Sequence, residues 1–189
     1  MRGVFLVFGL LFLSSAYSIE KRAELCYVCH GPGGVSRTPL IPSLAAQPSF
    51  FVVAQLFLFR DGRRGKAPQP MYEVAKSFTD DDLRAWGEFI SKLPPPRPPV
   101  QTPDKGRFAR GRALAEQHHC PVCHNPDYSG REQMPRLANQ REDYLLKALR
   151  DYRSGARIPY GRGMEEVVAI LSDGDFADLA HYLAHLPPR

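Results

Sequence analysis

Cys26-Tyr27-Val28-Cys29-His30 and Cys120-Pro121-Val122-Cys123-His124 between them use all four cysteines of the 189-residue chain. Cysteines three apart on a helix share a face, and a histidine four beyond the first points the same way. Such a turn can carry two thioether bonds to the vinyl groups of a porphyrin while presenting an imidazole to its iron. That is the pattern of c-type haem attachment. Two other chemistries use the same residues. Zinc ribbons bring two cysteine pairs together across roughly 15 to 20 residues, whereas these pairs lie about 90 apart. A redox dithiol needs a strand ahead of its helix, and neither stretch follows an apolar β-branched run. The expected cofactors are therefore two covalently bound haems, on Cys26 and Cys29 and on Cys120 and Cys123, with His30 and His124 on the irons.

Outward from these motifs the chain repeats itself. A shift of 93 superimposes Pro42 on Pro135, Leu44-Ala45 on Leu137-Ala138, Gln47 on Gln140, Leu56 on Leu149 and Arg60 on Arg153. It also carries Gly62 onto Gly155, Arg64 onto Arg157, Met71 onto Met164 and Leu93-Pro94 onto Leu186-Pro187. The haem motifs are offset by 94, so the second copy is one residue shorter between its histidine and its proline. Two lobes follow, 19–93 and 106–189, joined by a linker over 94–105 whose prolines make it a stiff, extended spacer.

Each lobe reads as helical, giving an all-α fold. Thr79-Asp80-Asp81-Asp82 and Ser172-Asp173-Gly174-Asp175 are hydroxyl N-caps with an acid three residues on. Behind them Leu83, Trp86, Phe89 and Ile90, and Phe176, Leu179, Tyr182 and Leu183, recur at helical spacing. Arg107 to His119 predicts a helix leading into the second haem motif. A lobe of about 80 residues makes only a marginal core, and a covalently held haem supplies the missing apolar centre.

The sixth iron ligand decides whether a haem performs chemistry or only passes electrons. The first lobe offers Met71. The second offers Met134, Met164, His181 and His185, of which Met164 alone coincides with Met71 under the repeat. Methionine is also an ordinary gap-filler in cores. His118 and His119 adjoin the haem motif, and His181 and His185 read as surface histidines of the terminal helix. Histidine with methionine is the ligation of electron-transfer haems, and with both positions filled no catalytic site is expected at either iron.

Residues 1–18 carry Arg2, the apolar stretch Val4 to Leu13 and the small-residue ending Ala16-Tyr17-Ser18, the pattern of a secretory signal. The chain is expected to act in the periplasm, with no membrane segment left after cleavage, since no apolar run reaches the length of a span. At 43% hydrophobic and 24% charged residues it is globular. The formal charge of +5 precedes four haem propionates, and no basic stripe is interleaved with aromatics, so no nucleic-acid partner is expected. The duplicated Arg60/Arg153 and Arg64/Arg157 are candidates for the propionates or for surface ion pairs.

On Cys29-His30-Gly31, Pro42, Leu44-Ala45, Gln47, the Arg60 to Arg64 segment, Met71 and the terminal helix, the sequence resembles the diheme class I cytochromes c of the c4 type across almost all of its mature length. The resemblance implies two cytochrome c lobes related by a pseudo-twofold axis. It also implies that the carbonyls of Pro42 and Pro135 orient His30 and His124 through their ring N–H groups. The sequence departs from the pattern at Asn125, where the first lobe has Gly31, and at the front, where only Ile19 to Leu25 precede Cys26 and the opening helix is expected to be short.

One difference comes from the repeat itself. Phe50, Ala54, Phe57 and Leu58 replace Asp143, Lys147, Arg150 and Asp151 of the second lobe, at i, i+4, i+7 and i+8 of a helix. Such a stripe packs inside the protein or docks a partner chain. The functional expectation is an electron carrier between a dehydrogenase and a downstream acceptor. The alternative is a tightly held cytochrome subunit of a larger oxidoreductase, similar to the diheme subunit of flavocytochrome c sulfide dehydrogenase.

Overall fold

The computed structural model describes residues 8–65, 69–158 and 163–187. Among them the chain forms nine α-helices and no strand beyond two isolated bridges. Helix α1 (Phe8–His30) runs without a break into the first haem motif. After a 3-10 turn at Pro32–Gly34 come α2 (Ser49–Arg60), α3 (Gln69–Ala75) and α4 (Asp80–Ser91). Beyond the prolines lie α5 (Lys105–Gln117), α6 (Cys120–His124), α7 (Glu142–Arg153), α8 (Gly163–Ala169) and α9 (Asp173–Ala184). Helices α2 and α4 stand 93 residues before α7 and α9 at both of their ends, as the repeat requires.

Helix α1 begins at Phe8, inside the expected signal of residues 1–18, so only its part from Ile19 onward bears on the opening helix of the first lobe. Residues 1–7 of the expected signal lie outside the described residues. The helix before the second haem motif ends at Gln117, because His119 takes a left-handed conformation (φ 54°) that starts α6 in a new direction.

Each lobe has its own core. In the first, Ala23, Val52, Trp86 and Ile90 are buried together, with Tyr27, Leu44 and Leu56 against them. In the second, Phe176, Leu179, Ala180 and Leu183 of α9 meet Ala115, Tyr128, Leu145 and Val168. Helices α4 and α9 both begin with a complete capping box. Thr79 and Ser172 accept the backbone N–H of Asp82 and Asp175, whose carboxylates bond back. These bonds hold the Asp82 and Asp175 carboxyls below the usual range. Each cap is worth about 1 kcal/mol.

The duplicated arginines separate into two roles. Arg60 bonds the Phe78 carbonyl and Asp80, and Arg153 bonds the Leu171 carbonyl and Asp173. Both clamp the first helix of the repeated unit onto the loop before the last. Arg64 and Arg157 are instead buried, 6% exposed each, where the two lobes meet. There the Ile158 N–H donates to the Arg64 carbonyl at 3.2 Å.

The lobes are clasped by a reciprocal pair of side-chain amides. Gln140 accepts the Ser43 N–H and donates to the Ser43 carbonyl, both at 2.8 Å. Gln47 accepts the Arg136 N–H and donates to the Arg136 carbonyl, both at 3.0 Å. Ser43 and Arg136, like Gln47 and Gln140, are counterparts under the 93-residue shift. The contact is thus the pseudo-twofold form of an isologous interface.

Candidate haem sites

Each site is built from a haem-motif helix and the loop that follows it. Cys26 and Cys120 are half-buried, Cys29 and Cys123 exposed, and burial pushes the Cys26 and Cys120 thiols above the ordinary value. His30 and His124 are buried at 7% and 5% exposure. His30 Nδ1 lies 2.8 Å from the Pro42 carbonyl oxygen and His124 Nδ1 lies 2.9 Å from that of Pro135. A carbonyl can only accept, so each Nδ1 carries the proton and each Nε2 keeps its lone pair. Desolvation lowers both histidine pKa values, against the opposing effect of the proline carbonyls, and so favours the neutral ring that binds a metal.

The proline carbonyls are fixed by matching loops. In the first lobe the Gly34 carbonyl accepts the N–H groups of Leu44 and Ala45, and Ala46 donates to the Ile90 carbonyl of α4. In the second the Tyr128 carbonyl accepts those of Leu137 and Ala138, and Asn139 donates to the Leu183 carbonyl of α9. The turn after each motif has one conformation despite different residues. Gly31 lies at φ 76°, ψ 162° and Asn125 at φ 69°, ψ 155°. A Cβ on Gly31 would come 2.1 Å from the Val35 carbonyl oxygen. The second loop is shorter and clears that space, and Asn125 steadies it by donating to Ser129 Oγ and the Gly130 carbonyl.

Met71 lies in α3 and Met164 in α8, both half-buried, and Met164 packs on the second core. Met134 lies elsewhere, in a tight turn closed by two hydrogen bonds with Arg131 and directly before Pro135. That turn belongs to the side of the site that holds His124.

His181 and His185 are not surface residues. His181 is 6% exposed and shares Glu142 with Arg107, while His185 donates to the His181 carbonyl. The i, i+4 spacing from the last turn of α9 to its C-cap turns both inward against α5 and α7, a consequence hidden in sequence because histidine carries no apolar signal. The stripe at Phe50, Ala54, Phe57 and Leu58 also divides. Ala54 and Leu58 are buried at 4% and 5% exposure, so neither presents a docking surface. Phe50 is 45% exposed and Phe57 is half-buried under the Arg60 guanidinium. Nor is the matching face of the second lobe simply solvated. Lys147 pairs with Asp151, and Asp143 accepts the Leu40 N–H from the first lobe. Ala54 and Leu58 and their counterparts Lys147 and Asp151 are covered wholly or in part, by apolar groups in one lobe and by an ion pair in the other.

Arg64 and Arg157, which the repeat puts forward, are buried cations at the lobe contact and not surface ion pairs. Among the described residues neither Arg64 nor Arg157 has a carboxylate partner. Arg64 bonds Gln55, and Arg157 lies 3.3 and 3.4 Å from the Tyr144 hydroxyl and Gln55 with its Nε unpartnered. Burial, and then the neighbouring charge of Arg157, pull the Arg64 pKa down to about 10. Two buried cations side by side suit an anionic partner such as a porphyrin carboxylate.

A duplicated helical unit with a Cys-x-x-Cys-His turn, and an imidazole fixed through Nδ1 in each copy, defines a c-type haem protein with two centres. The cytochrome c family profile matches residues 108–187. The chain is 32% identical to cytochrome c4 of Thiocapsa roseopersicina over 88% of its own length and 89% of that protein. It is 30% identical to the thiosulfate dehydrogenase electron acceptor of Thiomonas intermedia (strain K12), over 95% of this chain and 88% of that one. The structure of reduced cytochrome c4 from Pseudomonas stutzeri superposes with a TM-score of 0.77 at 27% identity, covering 90% of this chain and 98% of that one. The chain belongs to the diheme cytochromes c of the c4 type. It is an electron-transfer protein of two class I cytochrome c lobes that binds two c-type haems covalently.

Proposed function

We propose that the chain is a periplasmic electron carrier, exported by residues 1–18, whose lobes 19–93 and 106–189 each hold one haem. Cys26 and Cys29 and Cys120 and Cys123 form the thioethers, His30 and Met71 ligate one iron, and His124 and Met164 the other. The observation that carries this reading is the twice-built Nδ1–H to proline carbonyl bond, which leaves each Nε2 free for iron. The haem supplies a one-electron Fe(III)/Fe(II) couple. Arg64 and Arg157 would hold its carboxylates, and His30 and His124 would ligate iron through Nε2, the tautomer being fixed by the proline carbonyls. Among the described residues no helix is long and apolar enough to cross a membrane.

A second reading makes the chain the cytochrome subunit of a larger oxidoreductase, with a flavocytochrome c sulfide dehydrogenase as one case. The observation in its favour is the exposed Phe50 beside Phe57, which with Val53 and Leu83 lines a shallow groove between α2 and α4. The thiosulfate dehydrogenase electron acceptor among the relatives is consistent with such a donor. Purification from the native host decides between the two. Elution alone supports the carrier. Co-elution with a second polypeptide, weakened at least tenfold by Phe57→Arg at unchanged haem content, supports the subunit.

A further inference from the structure

We propose that Gln140 and Gln47 are positioning residues that act across the lobe contact, each steering the iron-binding histidine of the opposite lobe through a single shared peptide group. The inference rests on the reading of His30 and His124 as axial ligands.

The carbonyl of Pro42 and the N–H of Ser43 belong to one peptide plane. Its oxygen accepts the His30 Nδ1–H at 2.8 Å, and its N–H donates to Gln140 Oε1 at 2.8 Å. In the mirror arrangement the Pro135 carbonyl accepts the His124 Nδ1–H at 2.9 Å, and the N–H of Arg136, in the same plane, donates to Gln47 Oε1 at 3.0 Å. The second amide hydrogen bond of each glutamine, Nε2–H to the carbonyl of Ser43 or Arg136, fixes which end of the amide faces the N–H. Gln140 Oε1 also accepts the Arg141 N–H at 3.0 Å. Ser43 and Gln140 are 3% and 5% exposed, so water does not compete for the bonds between them, and Gln47 is 5% exposed beside the half-buried Arg136.

Peptide resonance links the two ends of such a plane. An acceptor on the N–H draws charge toward the carbonyl oxygen and strengthens the bond which that oxygen receives. A histidine that donates more strongly through Nδ1 is a more basic ligand at Nε2. It stabilises the ferric state and lowers the reduction potential. The relay therefore crosses the contact: Gln140, in the second lobe, sets the ligand strength of His30 in the first, and Gln47 does the same for His124. The loops from histidine to proline differ by one residue between the lobes, yet both arrive at the same relay.

The test uses the haem-loaded chain with nitrogen-15 histidine, in the reduced, diamagnetic state. In Gln140→Leu the His30 Nδ1 proton should move upfield and the potential of the first-lobe haem should rise, with the His124 Nδ1 proton unmoved. Gln47→Leu should give the mirror image. Gln140→Glu keeps an acceptor for the Ser43 N–H and should move the His30 proton downfield, so the sign decides even if Gln140→Leu fails to load haem. A shift in the lobe that carries the substitution, equal shifts in both, or none at unchanged haem and helix content would overturn the proposal. Failure of the axial reading would show separately, as wild-type His30 or His124 ring protons without the large upfield shift of an iron-bound imidazole.

Discussion

Gly111→Leu is expected to unfold the second lobe while the first keeps its haem. A Cβ at position 111 would stand 2.1 Å from the Asp178 carbonyl oxygen and 2.6 Å from Tyr182 Cβ, both on α9. Neither neighbour can retreat cheaply. The Tyr182 ring is wedged between Phe108 and Tyr128 at centroid distances of 5.0 and 5.8 Å, and Arg107 and Arg110 tie α5 to the Ala177 carbonyl and to Asp178. Forcing these helices apart costs about 3 kcal/mol or more, the upper range for overpacking a core. For a lobe of this size that lowers its melting temperature by roughly 12 to 24 °C. Thermal melts followed by far-UV circular dichroism, with haem counted per chain, should show a first-lobe transition near the wild-type temperature and an early or absent second one. Melting indistinguishable from wild type would mean that α5 and α9 do not cross at Gly111.

Met71→Ala and Met164→Ala should each remove about half of the far-red charge-transfer band of the oxidised protein, because methionine bonded to ferric haem produces it. Each should also lower the potential of one haem by a sizeable part of the roughly 0.8 V that axial ligands span. Met134→Ala should leave band and potentials intact. Its backbone is spent in the Arg131 turn, and it directly precedes the proline whose carbonyl holds His124. A weakened band in Met134→Ala, or an intact one in either of the others, would break the ligand assignment that the repeat suggests.

Much of this architecture was legible because the chain states it twice. The 93-residue offset makes α7 the counterpart of α2 and α9 that of α4, and the hydroxyl-acid caps locate the starts of α4 and α9. Periodicity named Trp86, Ile90, Phe176 and Leu179 as core. What stayed hidden depended on contacts between segments far apart in sequence. The repeat paired Gln47 with Gln140, but nothing local says that each amide brackets the other lobe's backbone. Arg64 and Arg60 look alike in sequence, and only the fold separates a buried cation at the lobe contact from a clamp on a helix cap. His181 and His185 read as surface because their burial depends on Glu142 and Arg107 arriving from other helices. Asn125 read as a disturbance, yet its side chain supplies the bonds that hold the backbone where glycine holds the first lobe. The four-residue stripe reads as one face in sequence, and packing of α2 divides it between interior and surface.

The measurement that bears most directly on the whole account is a coulometric titration of the purified, haem-loaded chain, followed in the visible spectrum. Two haems that only pass electrons should take up two electrons per chain in two one-electron steps and return them unchanged on reoxidation. Uptake of a single electron, or loss of haem from the chain on cycling, would contradict it.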